Sequence, residues 1–170
     1  MTGADLAAVQ AVERAAGEMF RSFPDPRIAA CADHEPMGTA SLSELADERR
    51  AWVVDVDGVV VGFLAVRVVD GCAHVEEVSV DPAHGGRGHA TALLERAAAW
   101  AADHGHSAIT LTTFRDVPWN RPFYERRGYR VLAEDELSPA LTDLLVEEDE
   151  AYGLARELRV VMRRELSDLP

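Results

Sequence analysis

Gly85, Gly86 and Gly88 put three glycines into four positions, between a β-branched run ending Val78-Ser79-Val80 and a helical pattern that opens near His89. Glycine lets the backbone turn tightly and aim successive N–H groups into one hollow. The following helix adds N–H groups with no intrahelical partner and the positive end of its dipole. Such a hollow suits a phosphate or pyrophosphate; a tight turn that binds nothing is the plain alternative. A nucleotide P-loop needs Gly-Lys-Ser/Thr where the helix starts, and this chain contains no lysine. A dinucleotide fingerprint belongs to an early βαβ unit with an acidic residue about 20 positions on, whereas this loop sits mid-chain after an antiparallel meander.

The elements that must hold this loop follow from periodicity. Leu6 to Phe20 carries Val9, Val12, Ala16, Met19 and Phe20 at helical spacing, and Pro24 and Pro26 stop it. Asp33 to Thr39 reads as a loop, and Ser41 as the cap of a second helix reaching Arg50, with Glu44 completing a capping box. Trp52–Val56 and Val59–Val69 are strands joined by Asp57-Gly58, and Asp70-Gly71 turns the chain into Ala73–Val80. A helix from the loop to about His104 buries Leu93, Leu94, Ala97, Ala98 and Ala101, and Gly105 ends it. Ser107–Phe114 is a strand, Trp119–Arg127 a short helix closed by Gly128, and Tyr129–Leu132 another strand. Ser138-Pro139 opens a helix that buries Leu141, Leu144 and Leu145 and turns the run Glu147 to Glu150 to solvent; Leu158–Met162 is the last strand. The order predicts an α/β fold with a mixed, mostly antiparallel sheet of about six to seven strands flanked by helices.

Length and charge narrow the partners. The 170 residues suit one domain, and 48% hydrophobic residues suffice for a core. Seventeen basic residues, all arginine, against thirty acidic ones leave a net charge of −13, which argues against a nucleic-acid surface. No run approaches the roughly 18 apolar residues of a membrane span. The N-terminus lacks the basic and apolar regions of a secretory signal, so the cytoplasm is the expected compartment. Cys31 and Cys72 make no disulfide framework. His104 and His106 lack the i, i+4 spacing of a metal pair, and His34, His74, His84 and His89 form no ligand set, so no metal is predicted.

Read together, Val80-Asp81-Pro82, Gly86-Arg87-Gly88-His89-Ala90, Leu93-Leu94 and then Asn120 with Phe123-Tyr124-Glu125-Arg126-Arg127-Gly128-Tyr129 resemble the GNAT superfamily of acyl-CoA-dependent N-acetyltransferases. The resemblance covers about Ala73 to Leu132. Its first signature is glutamine or arginine, two residues, glycine, one residue, then glycine or alanine; here Gly85 stands at the first position. The resemblance implies one GNAT-like domain over 1–170: residues 1–50 helical and on the acceptor side, 51–132 the cofactor-binding core, 133–170 a C-terminal helix and strand. The chain starts almost inside its first helix, so the family's usual first strand is expected to be shortened or missing.

The resemblance also assigns roles. Gly85, Gly86, Arg87, Gly88, His89, Ala90 and Thr91 would hold the coenzyme A pyrophosphate, and Val78, Ser79 and Val80 would line the pantetheine arm. Asn120, Phe123 and Tyr124 would flank that arm, with the Tyr124 phenol protonating the departing thiolate. The acceptor would be a primary amine of a small molecule or peptide, acetylated directly by acetyl-CoA in a ternary complex. An ammonium with a pKa near 10 cannot attack a thioester, so a carboxylate must attract it and take its proton. Glu76 and Glu77 lie on the right strand, and alternation sends them to opposite faces. Glu76 is the first choice because some small-amine members carry glutamate at that offset; Glu77 is the second. A homodimer is common in the family and stays open here. A non-catalytic acyl-CoA-binding or sensing module on the same fold is the alternative.

Overall fold

Two hairpins begin the sheet because Asp57-Gly58 and Asp70-Gly71 accept the left-handed backbone their turns require, with φ of +53° and +83° in the first and +50° and +71° in the second. They join β1 (Ala51–Val56), β2 (Val59–Val69) and β3 (Cys72–Val80). The computed structural model describes residues 1–166 and contains three further strands, β4 (Ala108–Phe114), β5 (Arg130–Val131) and β6 (Arg159–Glu165). The sheet is open, six-stranded and mixed, in the order β1-β2-β3-β4-β6-β5, and helices flank it. Among the described residues β3 and β4 pair in parallel, from Ala73↔Ile109 to Val75↔Leu111, whereas β1 with β2, β4 with β6 and β5 with β6 pair antiparallel. The α/β expectation holds, with six strands among the described residues.

The described residues fall into two compact units, one formed by Met1–Arg67 with Glu76–Ala97, the other by Val68–Val75 with residues 98–166. In the first unit, α1 (Leu6–Gly17) and α3 (Thr39–Asp47) pack Val9, Val12 and Leu42 on Phe63 of β2. Between them lies α2 (Pro26–Ala29), where Asp25 accepts the Arg27 N–H at 2.9 Å and Pro26 occupies the first helical position. Pro26 therefore starts a helix as well as ending the stretch before it. Helix α3 begins at Thr39 rather than behind Ser41, and its capping residue is Gly38, because Leu42 must enter the core one turn in.

Helix α4 (His89–Asp103) follows the glycine loop. Gly62 of β2 makes room for it: a Cβ there would lie 3.1 Å from Val80 Cγ2, 3.2 Å from the Ser79 carbonyl oxygen and 3.6 Å from Leu93 Cδ1. In the second unit, α5 (Arg121–Glu125) precedes β5, and α6 (Pro139–Tyr152) packs Leu141, Leu144 and Leu145 against Leu132 and Val161. Ser138 caps α6 through the Leu141 N–H at 3.2 Å, and Gly153, at φ +63°, ends it. No helix among the described residues is long and apolar enough to cross a membrane.

Candidate active site

The predicted site residues fall into two groups, Glu76–Thr91 in the first unit and Asn120, Phe123 and Tyr124 in the second. In the first, β3 runs straight into the loop. The Asp81 N–H donates to the Val61 carbonyl at 2.9 Å, and the Asp81 carboxylate then accepts the Ala83 N–H at 2.8 Å, shaping a single 3₁₀ turn over Pro82–His84. Gly86 and Gly88 follow at φ +71° and +85°, where any side chain is strained, and a Cβ on either would meet nothing within 4 Å. The first bond of α4 runs from the Ala92 N–H to the Gly88 carbonyl at 2.9 Å. The His89 and Ala90 amides ahead of it lie outside the helical ladder.

Two ring nitrogens at the loop, His84 Nδ1 and His89 Nε2, are shielded from solvent and make no hydrogen bond. Open space beside positive-φ glycines, helix-start amides and two such imidazole nitrogens fit a diphosphate. The structure also accounts for Gly85: a Cβ there would lie 3.1 Å from the Pro82 carbonyl oxygen, so a larger residue would crowd the 3₁₀ turn.

The two glutamates are held differently. Glu76 Oε2 is ion-paired with Arg67 Nε at 2.6 Å. Glu77 Oε1 accepts the Ser79 hydroxyl at 2.7 Å. Since Val80 lies beside Leu93 of α4, alternation turns Ser79 and Glu77 the other way. There Glu77 meets a carboxylate that sequence reasoning missed, Glu13 of α1. Burial first, and then the charge of Glu77, push the Glu13 carboxyl up to about 8, against the opposing help of the Met37 amide and Arg14. Both Glu13 oxygens receive the Met37 N–H, at 3.1 and 3.0 Å, and Gln10 Nε2 donates to the Met37 carbonyl at 3.0 Å. The signal was in the sequence: Glu13 stands four residues after Val9 and beside Val12, at the edge of the apolar stripe.

In the second unit Asn120 precedes α5 and its carbonyl accepts the Phe123 N–H at 2.8 Å. The Phe123 and Tyr124 rings meet edge to face at 5.2 Å, and Tyr124 meets Tyr129 the same way at 5.8 Å. The Arg127 guanidinium lies 3.5 Å from the centre of the Phe123 ring and donates to the Phe123 carbonyl at 2.6 Å. Tyr124 is thus half-buried in an aromatic cluster on a helix shorter than the one the pattern predicts.

The acidic run of α6 corrects one expectation. Glu147, Asp149 and Glu150 face solvent, but Glu148 turns inward, accepting from Thr112 Oγ1 at 2.5 Å and from Arg159 Nη2 at 3.0 Å. Its spacing after Leu141, Leu144 and Leu145 places it on the buried face. His74, isolated in the sequence, is buried with Nδ1 2.8 Å from Thr110 Oγ1. Among the described residues no group of three or more histidines, cysteines or acids could hold a metal ion.

Comparison with known proteins gives this geometry a lineage. The family model described as Acetyltransferase (GNAT) family matches residues 9–129. The fold is similar to that of the PaiA N-acetyltransferase of Thermoplasma acidophilum, solved with coenzyme A, at 13% identity over 97% of this chain and 95% of that one, with a TM-score of 0.69. It is also similar to Rv2747 of Mycobacterium tuberculosis, likewise solved with coenzyme A, at 18% identity over 96% and 95%, TM-score 0.67. The ribosomal-protein-S18-alanine N-acetyltransferase of Escherichia coli matches at 17% identity over 100% and 93%, TM-score 0.64. The glycine loop, the strand before it and the aromatic helix after it all lie inside the matched segment, and the chain belongs to the GNAT acetyltransferase family.

Proposed function

We propose that this protein transfers an acetyl group from acetyl-CoA to a primary amine of a small molecule or peptide, by direct attack of the amine within a ternary complex. The observation that carries the reading is the continuity of β3 with the loop: the strand bearing Glu77, bonded to Ser79, ends in the positive-φ turn of Gly86 and Gly88 and the start of α4.

The thioester supplies the activated acetyl group. The loop amides and the α4 dipole bind the diphosphate, while Val78, Ser79 and Val80 align the pantetheine arm and Asn120 and Phe123 flank it. Glu77 takes the proton of the incoming ammonium. Glu76 is the weaker choice, since its carboxylate is committed to Arg67 at 2.6 Å. Glu13, which holds a proton at neutral pH, is a positioning residue that keeps the single negative charge of the pair on Glu77. Tyr124 protonates the departing thiolate. Holding amine and thioester together supplies much of the acceleration, since effective molarities reach about 10⁵ M or more.

Calorimetry with acetyl-CoA, followed by thiol release over a panel of polyamines, amino sugars, amino acids and peptide N-termini, tests the reading. Saturable cofactor binding with amine-dependent thiol release is expected. No binding at millimolar acetyl-CoA would overturn it, and tight binding without release on any amine would leave a binding module instead of an enzyme.

A further inference from the structure

The second unit contains a cavity of about 730 Å³ between the end of β4, the start of β6, the segment after β5 and α6. Its wall combines two chemistries. Val131, Leu132, Leu137, Leu145, Val160 and Val161 make one side apolar. Four arginines, Arg115, Arg121, Arg156 and Arg159, stand among three glutamates of the wall, and a fourth glutamate, Glu148, pairs with Arg159.

Arg121 pairs with Glu125 at 3.1 Å, but the other three arginines are not used up by their internal partners. Arg156 Nη2 pairs with Glu134 at 2.6 Å, yet its Nη1 is out of solvent with no hydrogen bond. Arg159, whose side chain is 10% exposed, gives Nη2 to Glu148 at 3.0 Å and to Thr112 at 2.8 Å, yet its Nε is buried with no hydrogen bond. Arg115 is exposed and makes no side-chain hydrogen bond or ion pair among the described residues. A guanidinium has no acceptor capacity and cannot lose its proton, so a buried N–H of this kind is satisfied only by an acceptor brought from outside.

We propose that this cavity is a binding site for a small amphipathic monocarboxylate, its carboxylate taken by the spare guanidinium N–H groups of Arg156, Arg159 and Arg115 and its hydrocarbon body by the Leu137, Leu145 and Val161 wall. The apolar side of the wall suits an amphipathic acid rather than inorganic phosphate. The volume lies within the range of small-molecule sites. The site does not depend on acetyl transfer.

The probe is 4-phenylbutanoate, titrated calorimetrically into the full chain beside its neutral twin 4-phenylbutanamide and inorganic phosphate. The expected result is saturable binding of the acid, about tenfold or more weaker binding of the amide, and a loss of about fivefold or more for the acid in both Arg156→Gln and Arg115→Gln. Arg115→Gln alters an exposed side chain, so it keeps the test decisive should Arg156→Gln not fold. Equal affinity for acid and amide, preference for phosphate, or no heat from the acid at tens of millimolar overturns the proposal. Acetyl-CoA titrated into the same samples reports separately on the acetyltransferase reading.

Discussion

Burial, and after it the charge of Glu77, raise the Glu13 carboxyl to about 8, while both Glu13 oxygens accept from the Met37 amide. An acid whose folded pKa lies above its unfolded value binds more protons when folded, so stability is fully present below the unfolded value near 4.5 and is lost as the pH rises toward 8. Glu13→Gln removes the penalty and keeps an acceptor for the Met37 N–H. The variant should match the parent at pH 4 and exceed it by on the order of 2 kcal/mol at pH 9, read from urea unfolding at both pH values. Identical pH profiles for the two proteins would remove the pair.

Catalytic assignment separates the two strand glutamates. Glu77→Gln is expected to lower kcat/KM by about 10²-fold or more, with the loss steepest at low pH where the amine most needs deprotonation. Glu76→Gln breaks the Arg67 pair instead and should cost no more than about 1 kcal/mol of stability with little change in turnover. If the Glu76 variant is the dead one and the Glu77 variant is active, the base is Glu76.

Tyr124→Phe keeps the edge-to-face packing on Phe123 and Tyr129 and removes only the phenol. A fall in kcat of about 10²-fold with acetyl-CoA affinity unchanged is expected for a general acid. Parallel calorimetry and steady-state kinetics check it; unaltered turnover removes the role.

Gly86→Ala isolates backbone conformation from crowding, because a methyl there meets nothing within 4 Å while φ stays at +71°. Alanine lets the free loop relax away from this conformation, so returning to it on binding costs about 1 kcal/mol, to be seen as roughly fivefold weaker acetyl-CoA binding in a folded protein. Wild-type affinity in that variant would show that the loop tolerates another conformation in the bound state.

Glu148→Ala strips Arg159 of its buried counter-ion and should cost about 3 kcal/mol or more, whereas Thr112→Val should cost about 1 kcal/mol. Thermal melts of the two variants rank them directly, and a Glu148→Ala protein as stable as the parent contradicts the buried pair.

Much of this architecture was readable from spacing alone. The two Asp-Gly turns, the capped Ser138-Pro139 helix and the glycine loop depend on local backbone chemistry, which neighbouring residues carry. What escaped depended on contacts across long separations. Glu13 and Glu77 are 64 positions apart, and nothing near either one announces the other. Glu148 was open to reading, since helical period places it with Leu144 and Leu145, but its acidic neighbours masked it. The commitment of Glu76 to Arg67 required the pairing of two strands in register.

Gly62 reaches the chemistry without touching it. The absent side chain on β2 is what allows Val80 and the Ser79 carbonyl to sit where they do, one residue ahead of Asp81 and the turn that presents the loop. Adding even a methyl would lever the base of the loop outward by a few tenths of an ångström. Such a lesion, lying on a neighbouring strand, is expected to weaken acetyl-CoA binding while leaving every residue proposed to hold the cofactor unchanged.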